Sequence, residues 1–278
     1  MCHYRSGEPV FIDETSISLK TLPHNDCHNT IREKHNIGED DGSPFHSKHA
    51  PVEYVPGEGA DLRNPGGTGW ELIFDDKKPE WWTDAHTADT IRQFCDVIRG
   101  DWNGDKLEYP GSNLNLRSLT AIPAGVTLSA GSSLYLSSLK TIPEGVTLSA
   151  GGYIDLYSLT TIPAGVTLSA GDYLYLSNLK TIPAGVTLSA GSNLYLYSLT
   201  IISEGVTLSA GSDLNLSSLT AIPAGVTMSA GSNLNLRSLK TIPAGVTLSA
   251  GSDLYLHSLT TIPEGVTVKA KRIFFKQQ

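Results

Sequence analysis

Residues 111–150 read GSNLNLRSLTAIPAGVTLSA followed by GSSLYLSSLKTIPEGVTLSA, and the same twenty-residue unit continues to residue 270. Eight copies of G-x-x-L-x-L-x-S-L-x-x-I-P-x-G-V-T-L-S-A thus stand end to end, and a fixed period of this kind decides the architecture before anything else. Each unit holds two alternating stretches, L-x-L early and V-T-L late, separated by I-P-x-G on one side and S-A-G on the other. Alternation reads as strand, and the Pro/Gly and Ala-Gly clusters read as corners. One unit supplies six apolar positions, in the first copy Leu114, Leu116, Leu119, Ile122, Val126 and Leu128. No isolated 20-mer can shield these from water, but stacked copies can. Like positions then form inward ladders about 4.8 Å apart, and eight coils make a rod roughly 38 Å long. The expected fold is mainly β: a parallel β-solenoid of eight coils with two short strands each and an α-containing N-terminal cap. A helical reading fails, because proline recurs in nearly every copy and the apolar spacing is two rather than about 3.6.

Gly125 and its equivalents at 145, 165, 185, 205, 225, 245 and 265 never vary between copies. Such a corner needs a positive φ or has no room for a Cβ. Pro123 recurs in every copy but the fifth, where Ile201-Ile202-Ser203 replaces T-I-P, and a local irregularity is expected there.

The run L-x-L-x-x-L-x-x-I-P-x-G-V, seen in 194–206 with its Ser203 exception, resembles short bacterial leucine-rich repeats. These include the repeats of secreted effectors and of prophage-encoded proteins with twenty-residue units ending in L-P-x-G-L. The resemblance covers 111–270, and WWTDAHTADTIRQF before the repeats is similar to a lead-in of such prophage proteins. It implies a bacterial or phage origin and a non-enzymatic role in binding, with a phage protein that inhibits a host factor as the sharpest form. The unit departs from standard leucine-rich repeats in carrying Leu119, Leu139 and their equivalents where those repeats carry asparagine. A curved horseshoe and a straighter two-sheet solenoid are therefore both open.

Solenoid ends expose backbone donors and apolar side chains, so caps are expected at both. Thr83 or Asp84 can N-cap a helix near 84–99, with Ile91, Phe94, Cys95 and Ile98 forming one apolar stripe against the first coil. Leu107 and Tyr109 mimic a degenerate V-T-L strand, a rung zero. At the far end Lys and Arg in KAKRIFFKQQ discourage further strand addition, while Ile273, Phe274 and Phe275 cover the last coil. The organisation expected is an acidic, His-rich irregular segment at 1–60, a capping region at 61–110, the repeats at 111–270 and a C-terminal cap at 271–278. Within 1–60 only VFIDETSISL, 10–19, alternates well enough for a strand.

Residues 1–110 carry 21 acidic and 11 basic side chains, a balance of −10, against 7 acidic and 6 basic in the repeats, a balance of −1. No basic stripe is available for nucleic acid, so a protein partner is expected rather than a nucleic-acid one. The N-terminus has no apolar core of a signal peptide and no stretch is apolar enough to span a membrane. Three cysteines at unrelated spacings, Cys2, Cys27 and Cys95, argue against a disulfide framework. A cytoplasmic protein without membrane contact is expected.

Comparison among the eight copies separates fixed from variable positions. Inward positions barely change, whereas the third, fifth and seventh positions vary from copy to copy. Eight of the chain's eleven tyrosines sit at these outward positions, and seven fall in coils two to five: Tyr135, Tyr153, Tyr157, Tyr173, Tyr175, Tyr195 and Tyr197. Tyrosine offers a large rigid contact with a polar tip, so this patch is the expected partner-binding site. The competing reading is that tyrosine has high β propensity and stacks in exposed ladders. Asparagine and aspartate, poor strand formers, share the same positions and weigh toward function. The late strand instead repeats Thr127 to Thr267 without a break. That ladder could be read as an ice-binding surface, but is more simply a β-branched solvent face.

Other chemistry is weaker. HNDCH at 24–28 with His35, His46 and His49 could supply zinc ligands, but not at a strong spacing. Asp75, Asp76, Glu80, Asp84 and His86 could form an acid–base cluster, yet carboxylates are expected at a helix N-terminus. Cys95 lies on the apolar stripe and reads as a buried structural thiol. GEGADLRNPGGTG, 57–69, lacks the Lys-Ser/Thr and strand-to-helix context of a phosphate loop. The sequence therefore reads as a non-enzymatic protein-binding repeat protein with no catalytic residues, metal or cofactor. Its alternatives are an effector whose N-terminal part is an enzyme or toxin, and a carbohydrate-binding solenoid.

Overall fold

The computed structural model describes residues 5–23, 27–38 and 48–276. The repeats form the parallel β-solenoid that their pattern demands. Each coil contributes one strand to each of two parallel sheets. One sheet stacks the T-L-S-A strands from Thr127–Ala130 through Thr247–Ala250 to Thr267–Lys269, and the other stacks the short L-x-L strands from Leu114–Asn115 to Asp253–Leu256. Every rung of the repeats pairs equivalent positions of successive coils, for example Thr147 with Thr167, Leu148 with Leu168, and Leu174 with Leu194. In-register pairing is what a strict period of twenty allows, because any offset would put polar residues into the core. Leu114, Leu119, Val126 and Leu128 are fully buried, with Leu116 and Ile122 nearly so. Ala130 is buried as well, a seventh inward position too small to have counted as apolar pattern.

Two glycine positions hold the coils together for different reasons. The Gly125 series has φ between 69° and 80°, a left-handed conformation that costs other residues energy. The Gly131 series has ordinary φ but no room: a Cβ on Gly191 would lie 1.8 Å from the carbonyl oxygen of Gly171. At the corner where leucine stands in for asparagine, Leu119 N–H donates to Leu116 O at 3.1 Å, and the same turn recurs in every coil. A backbone turn over a buried leucine closes the corner without an asparagine ladder.

The irregularity expected at Ser203 turns out to be a gain of order. Proline has no N–H to give, whereas Ser203 N–H donates to Ile182 O at 2.9 Å. Thr181–Ile182 and Ile201–Ile202 consequently pair as a small third ladder.

The described residues of 1–60 depart from the irregular segment expected of them. β1 (Ser6–Asp13) and β2 (Ser16–Lys20) form a hairpin that splits the single strand read at 10–19. Then come helix α1 (His28–His35), β3 (Val52–Pro56) and β4 (Trp70–Phe74), giving an antiparallel sheet of order β2-β1-β3-β4. Polar residues are buried inside it, Arg5, Ser6, Glu8 and Glu53 among them, so hydrophobic patterning understated its order. Helix α2 (Asp84–Asp101) is N-capped by Thr83, as expected, and runs two residues beyond 99. Its side chains cover the β2 edge: Asp89 accepts from Ile17 N at 3.1 Å and Gln93 from Leu19 N at 3.0 Å. Phe94, Cys95 and Ile98 are buried in a core continuous with Leu107 and Tyr109, and Phe94 stacks on Tyr54 of β3 at 5.6 Å. The stripe thus lies between the N-terminal sheet and the solenoid rather than on the first coil alone.

Rung zero is present as read. Lys106–Tyr109 pairs in parallel with Thr127–Ala130, and Trp102–Asn103 folds back antiparallel on it to cover the edge. Buried Arg5 clamps this end to the N-terminal sheet, donating from Nε and Nη2 to the two oxygens of Asp101 and from Nη1 to Leu22 O at 2.8 Å. The far end differs from the expectation. Arg272–Phe275 adds a further parallel strand beside Asp253–Leu256 instead of ending strand addition. Phe274 points outward and stacks on Tyr255 at 5.1 Å, so only Ile273 and Phe275 pack against the core.

Candidate functional site

The L-x-L strand turns its even positions inward, which sends the third, fifth and seventh positions of every coil to one outer face. Stacking converts these into three columns. On coils three to five the rings of the third and fifth columns interlock. Tyr153 meets Tyr173 at 5.3 Å, and Tyr173 lies near-parallel to Tyr195 at 6.3 Å. Tyr175 stacks on Tyr195 at 5.1 Å, and Tyr195 on Tyr197 at 5.5 Å. Tyr135 is joined from the other side by Arg117, whose guanidinium carbon sits 3.8 Å over its ring. Tyr157 belongs to the patch through a cleft of about 350 Å³ that it lines with Tyr135, Tyr153, Tyr175, Ser137 and Asp155. All seven tyrosines read from the sequence therefore occupy one surface, with Tyr153, Tyr157 and Tyr197 exposed at 38%, 57% and 43%.

The polar members of the face have a different occupation. Asn113, Asn193 and Asp213 in the third column accept the N–H of the residue one coil further on, at 3.0, 3.0 and 3.1 Å. Asn115, Asp155, Asn215 and Asn235 in the fifth column each accept the N–H two residues later, at 3.1 to 3.4 Å. These bonds satisfy backbone donors where the short strand breaks into the corner. Each of these asparagines and aspartates thus has a backbone role that accounts for its place in the column, so residue type alone does not point to function. Among the described residues no tyrosine hydroxyl of coils two to five bonds to backbone. Burial, then the neighbouring tyrosines, pushes the Tyr175 phenol above its ordinary value, and burial does the same for Tyr197.

A second polar constellation lies in the N-terminal sheet and includes His28 and His49 of the zinc candidates. Fully buried Glu8 takes Nδ1 of His28 at 3.0 Å and Nδ1 of His49 at 2.8 Å, with Arg32 Nε at 3.3 Å. Burial pushes the Glu8 carboxyl upward, but the hydrogen bonds and charge of His28 and His49 outweigh it and hold it below the usual range. His28 is pulled down by burial and, more strongly in sum, up by Glu8, Asp75 and Glu53. His28 Nε2 lies 3.1 Å from Asp75, and ligand atoms of His28, Glu53 and Asp75 fall within 4.8 Å of one another, close enough to hold a cation. Glu8 and Glu53 were missed because isolated glutamates in polar surroundings carry no spacing signal. Of the zinc candidates, His28 and His49 meet across Glu8. His35 is exposed and bonds Thr21 O at 3.1 Å, and Cys27 is exposed. Cys2, His24 and His46 lie outside the described residues.

The acid–base cluster imagined around the tryptophans dissolves into a helix cap. His86 Nδ1 accepts Thr83 N–H at 3.0 Å while Nε2 donates to Asp13 O at 2.7 Å, using both ring nitrogens for structure. Cys95 is buried and its thiol pushed up by burial, against nucleophilic use.

No family model, no curated protein and no solved structure matches this chain. The class that fold and repeat define is that of a repeat β-solenoid with about eight turns of twenty residues.

Proposed function

We propose that the protein is a non-enzymatic binding protein that grips a protein partner through the tyrosine face of coils two to five. The observation that carries this reading is the gathering of seven tyrosines, with no backbone duty, on one side of a solenoid whose other sheet repeats threonine without change. Rigid aromatic side chains lose little conformational entropy on binding and are enriched at the energetic centres of interfaces. The resemblance to prophage repeat proteins extends the reading to a phage- or bacteria-encoded inhibitor of a host factor, acting in the cytoplasm. Affinity capture from a bacterial lysate with the wild-type chain and with the triple change Tyr153→Ala, Tyr173→Ala, Tyr195→Ala tests it. Loss of a specific captured protein at nearly unchanged melting temperature is expected, and undiminished capture would overturn the proposal.

One observation favours a second reading, an effector with an active N-terminal part: the buried Glu8–His28–His49 cluster beside Asp75. Turnover or toxicity of the full chain that disappears in His28→Ala, while the tyrosine variant keeps it, would favour this alternative. A carbohydrate-binding solenoid has the same tyrosines in its favour, and glycan-array binding lost in the tyrosine variant would mark it.

A further inference from the structure

The fifth-position column runs Asn115, Tyr135, Asp155, Tyr175, Tyr195, Asn215, Asn235, Tyr255, and between Tyr135 and Tyr195 it is a ladder of rings with one ring missing. Where neighbouring rungs both carry tyrosine, at Tyr175 and Tyr195, the rings stack at 5.1 Å and 19°. Coil three puts Asp155 into the row instead. Tyr135 and Tyr175 are therefore two rungs apart, about 9.6 Å by the strand spacing, with one rung of open space between them. Tyr153 and Tyr157 flank Asp155 on its own strand, and the resulting cleft of about 350 Å³ opens to solvent. The arrangement is an aromatic box on four sides with a carboxylate at its base. Asp155 Oδ1 accepts Tyr157 N–H at 3.1 Å, which fixes the side chain, and among the described residues Oδ2 has no hydrogen-bond partner.

Ring faces carry negative quadrupole density and the carboxylate carries charge, so the box selects cations and repels anions. No lysine or arginine stands at the third, fifth or seventh positions of coils two to six, and the nearest arginine of the face, Arg117 of coil one, is engaged over the ring of Tyr135. A slot one rung deep between two ring planes suits a flat group over a round one. A guanidinium is flat and presents paired N–H groups to a carboxylate, which an ammonium does not. The chain already treats its own arginines this way. Arg117 lies 3.8 Å over Tyr135 and Arg237 5.0 Å over Tyr255. Arg272 pairs bidentately with Asp253 at 2.7 and 2.8 Å beside the stacked Tyr255 and Phe274. At coil three the carboxylate and the rings are present and the chain supplies no arginine.

We propose that the notch at Asp155 receives the guanidinium of an arginine side chain projected by the partner protein. This rests on the protein-binding reading of the tyrosine face and names the chemistry of its contact at coil three. The test titrates the full chain with acetyl-Gly-Arg-Gly-amide and follows tyrosine ring resonances by NMR. Saturable shifts at Tyr135, Tyr153, Tyr157 and Tyr175 are expected, with a dissociation constant on the order of millimolar for so small a ligand. The neutral isostere, the citrulline tripeptide, should bind about tenfold more weakly, and so should the arginine peptide to Asp155→Asn. Asp155→Tyr fills the empty rung with the residue the column carries on coils two, four and five, so it should leave the melting curve in place and abolish binding.

Equal binding of the citrulline peptide, tighter binding of lysine or trimethyllysine peptides, or saturation of the same rings by N-acetylglucosamine at lower concentration would overturn the assignment. Retained binding in Asp155→Tyr would do the same. Failure of the underlying reading looks different: capture would survive loss of Tyr173 and Tyr195, which lie outside the cleft, whatever the peptides do. In that outcome a peptide-binding notch without a tyrosine-dependent partner sinks the partner half of the proposal.

Discussion

The two sheets of the solenoid share one core, one register and one period, yet their outer faces behave differently. On the T-L-S-A sheet Thr127 through Thr267 recur in all eight coils, and serine follows in seven of them. On the L-x-L sheet no two adjacent coils carry the same outward triplet. The core makes equal demands on both strands, since Leu116 and Leu128 and their equivalents are almost completely excluded from water in the first seven coils. Variation on one side only must therefore answer to something outside the core. The hydrogen bonds then divide that variation further, giving most of the asparagines and aspartates a backbone partner and, among the described residues, the tyrosine side chains none.

The largest effect should come from the feature both sheets depend on. Gly191→Ala sets a Cβ against the Gly171 carbonyl, and a loss of about 4 kcal/mol or more is expected in denaturant melts, among the most severe for single changes. Little change there would mean that the coils are less closely seated than described. Next come truncations that test the equality of the two inner faces. Leu176→Ala and Leu188→Ala should each cost about 2–5 kcal/mol, and a consistent gap between them would break the comparison.

How much of this could be read beforehand depended on whether the signal was local or internal to the repeat. Twenty-residue recurrence fixes which side chains pair, so the inward ladder, the Gly125 corner, rung zero at Leu107 and the placement of seven tyrosines on one face were all legible. The bond from Asn193 to Asp213 N–H was not, because it links residues twenty apart through a register that only stacking creates. The N-terminal sheet was illegible for a related reason. Beyond the β1–β2 hairpin its strands are joined across long gaps, β2 to β3 most of all, and Arg5, Glu8 and Glu53 are buried through partners distant in sequence. The tail misled because charge in KAKRIFFKQQ read as a strand breaker, whereas Arg272 is satisfied by Asp253.

Smaller effects sharpen the division within the variable face. Asp213→Ala leaves Asn233 N–H without its acceptor and should cost about 1 kcal/mol, whereas Tyr197→Ala, more exposed, should cost less than that. A larger loss for the tyrosine would return it to a structural role. The pH profile separates the solenoid from the N-terminal sheet. His28 has a raised pKa, so its contribution is complete below the ordinary histidine value and fades as pH rises through the folded one. Glu8, held low, contributes above the ordinary carboxylate value and is lost as pH falls through its folded value. Hydrogen exchange should therefore show β1 and α1 loosening at both ends of the range, with the coils steady. Uniform loosening would deny the cluster its role. The smallest effect expected is on capture by Thr167→Ser, Thr187→Ser, Thr207→Ser, which should leave it intact; loss of capture would move the site to the other sheet.

The in-step pairing of equivalent positions makes the boundaries between coils geometrically alike, the added ladder at Ile201–Ile202 apart. Excising or duplicating any twenty residues, 211–230 for instance, rejoins strands that already match in register, hydrogen bonding and core content. The outward triplets travel with their coils when this happens. Recombination among such near-identical copies can lengthen the binding face, shorten it, or slide the gap at Asp155 along the tyrosine row one rung at a time. The scaffold thus supports a recognition surface that evolves by shuffling whole coils, without a single new core mutation.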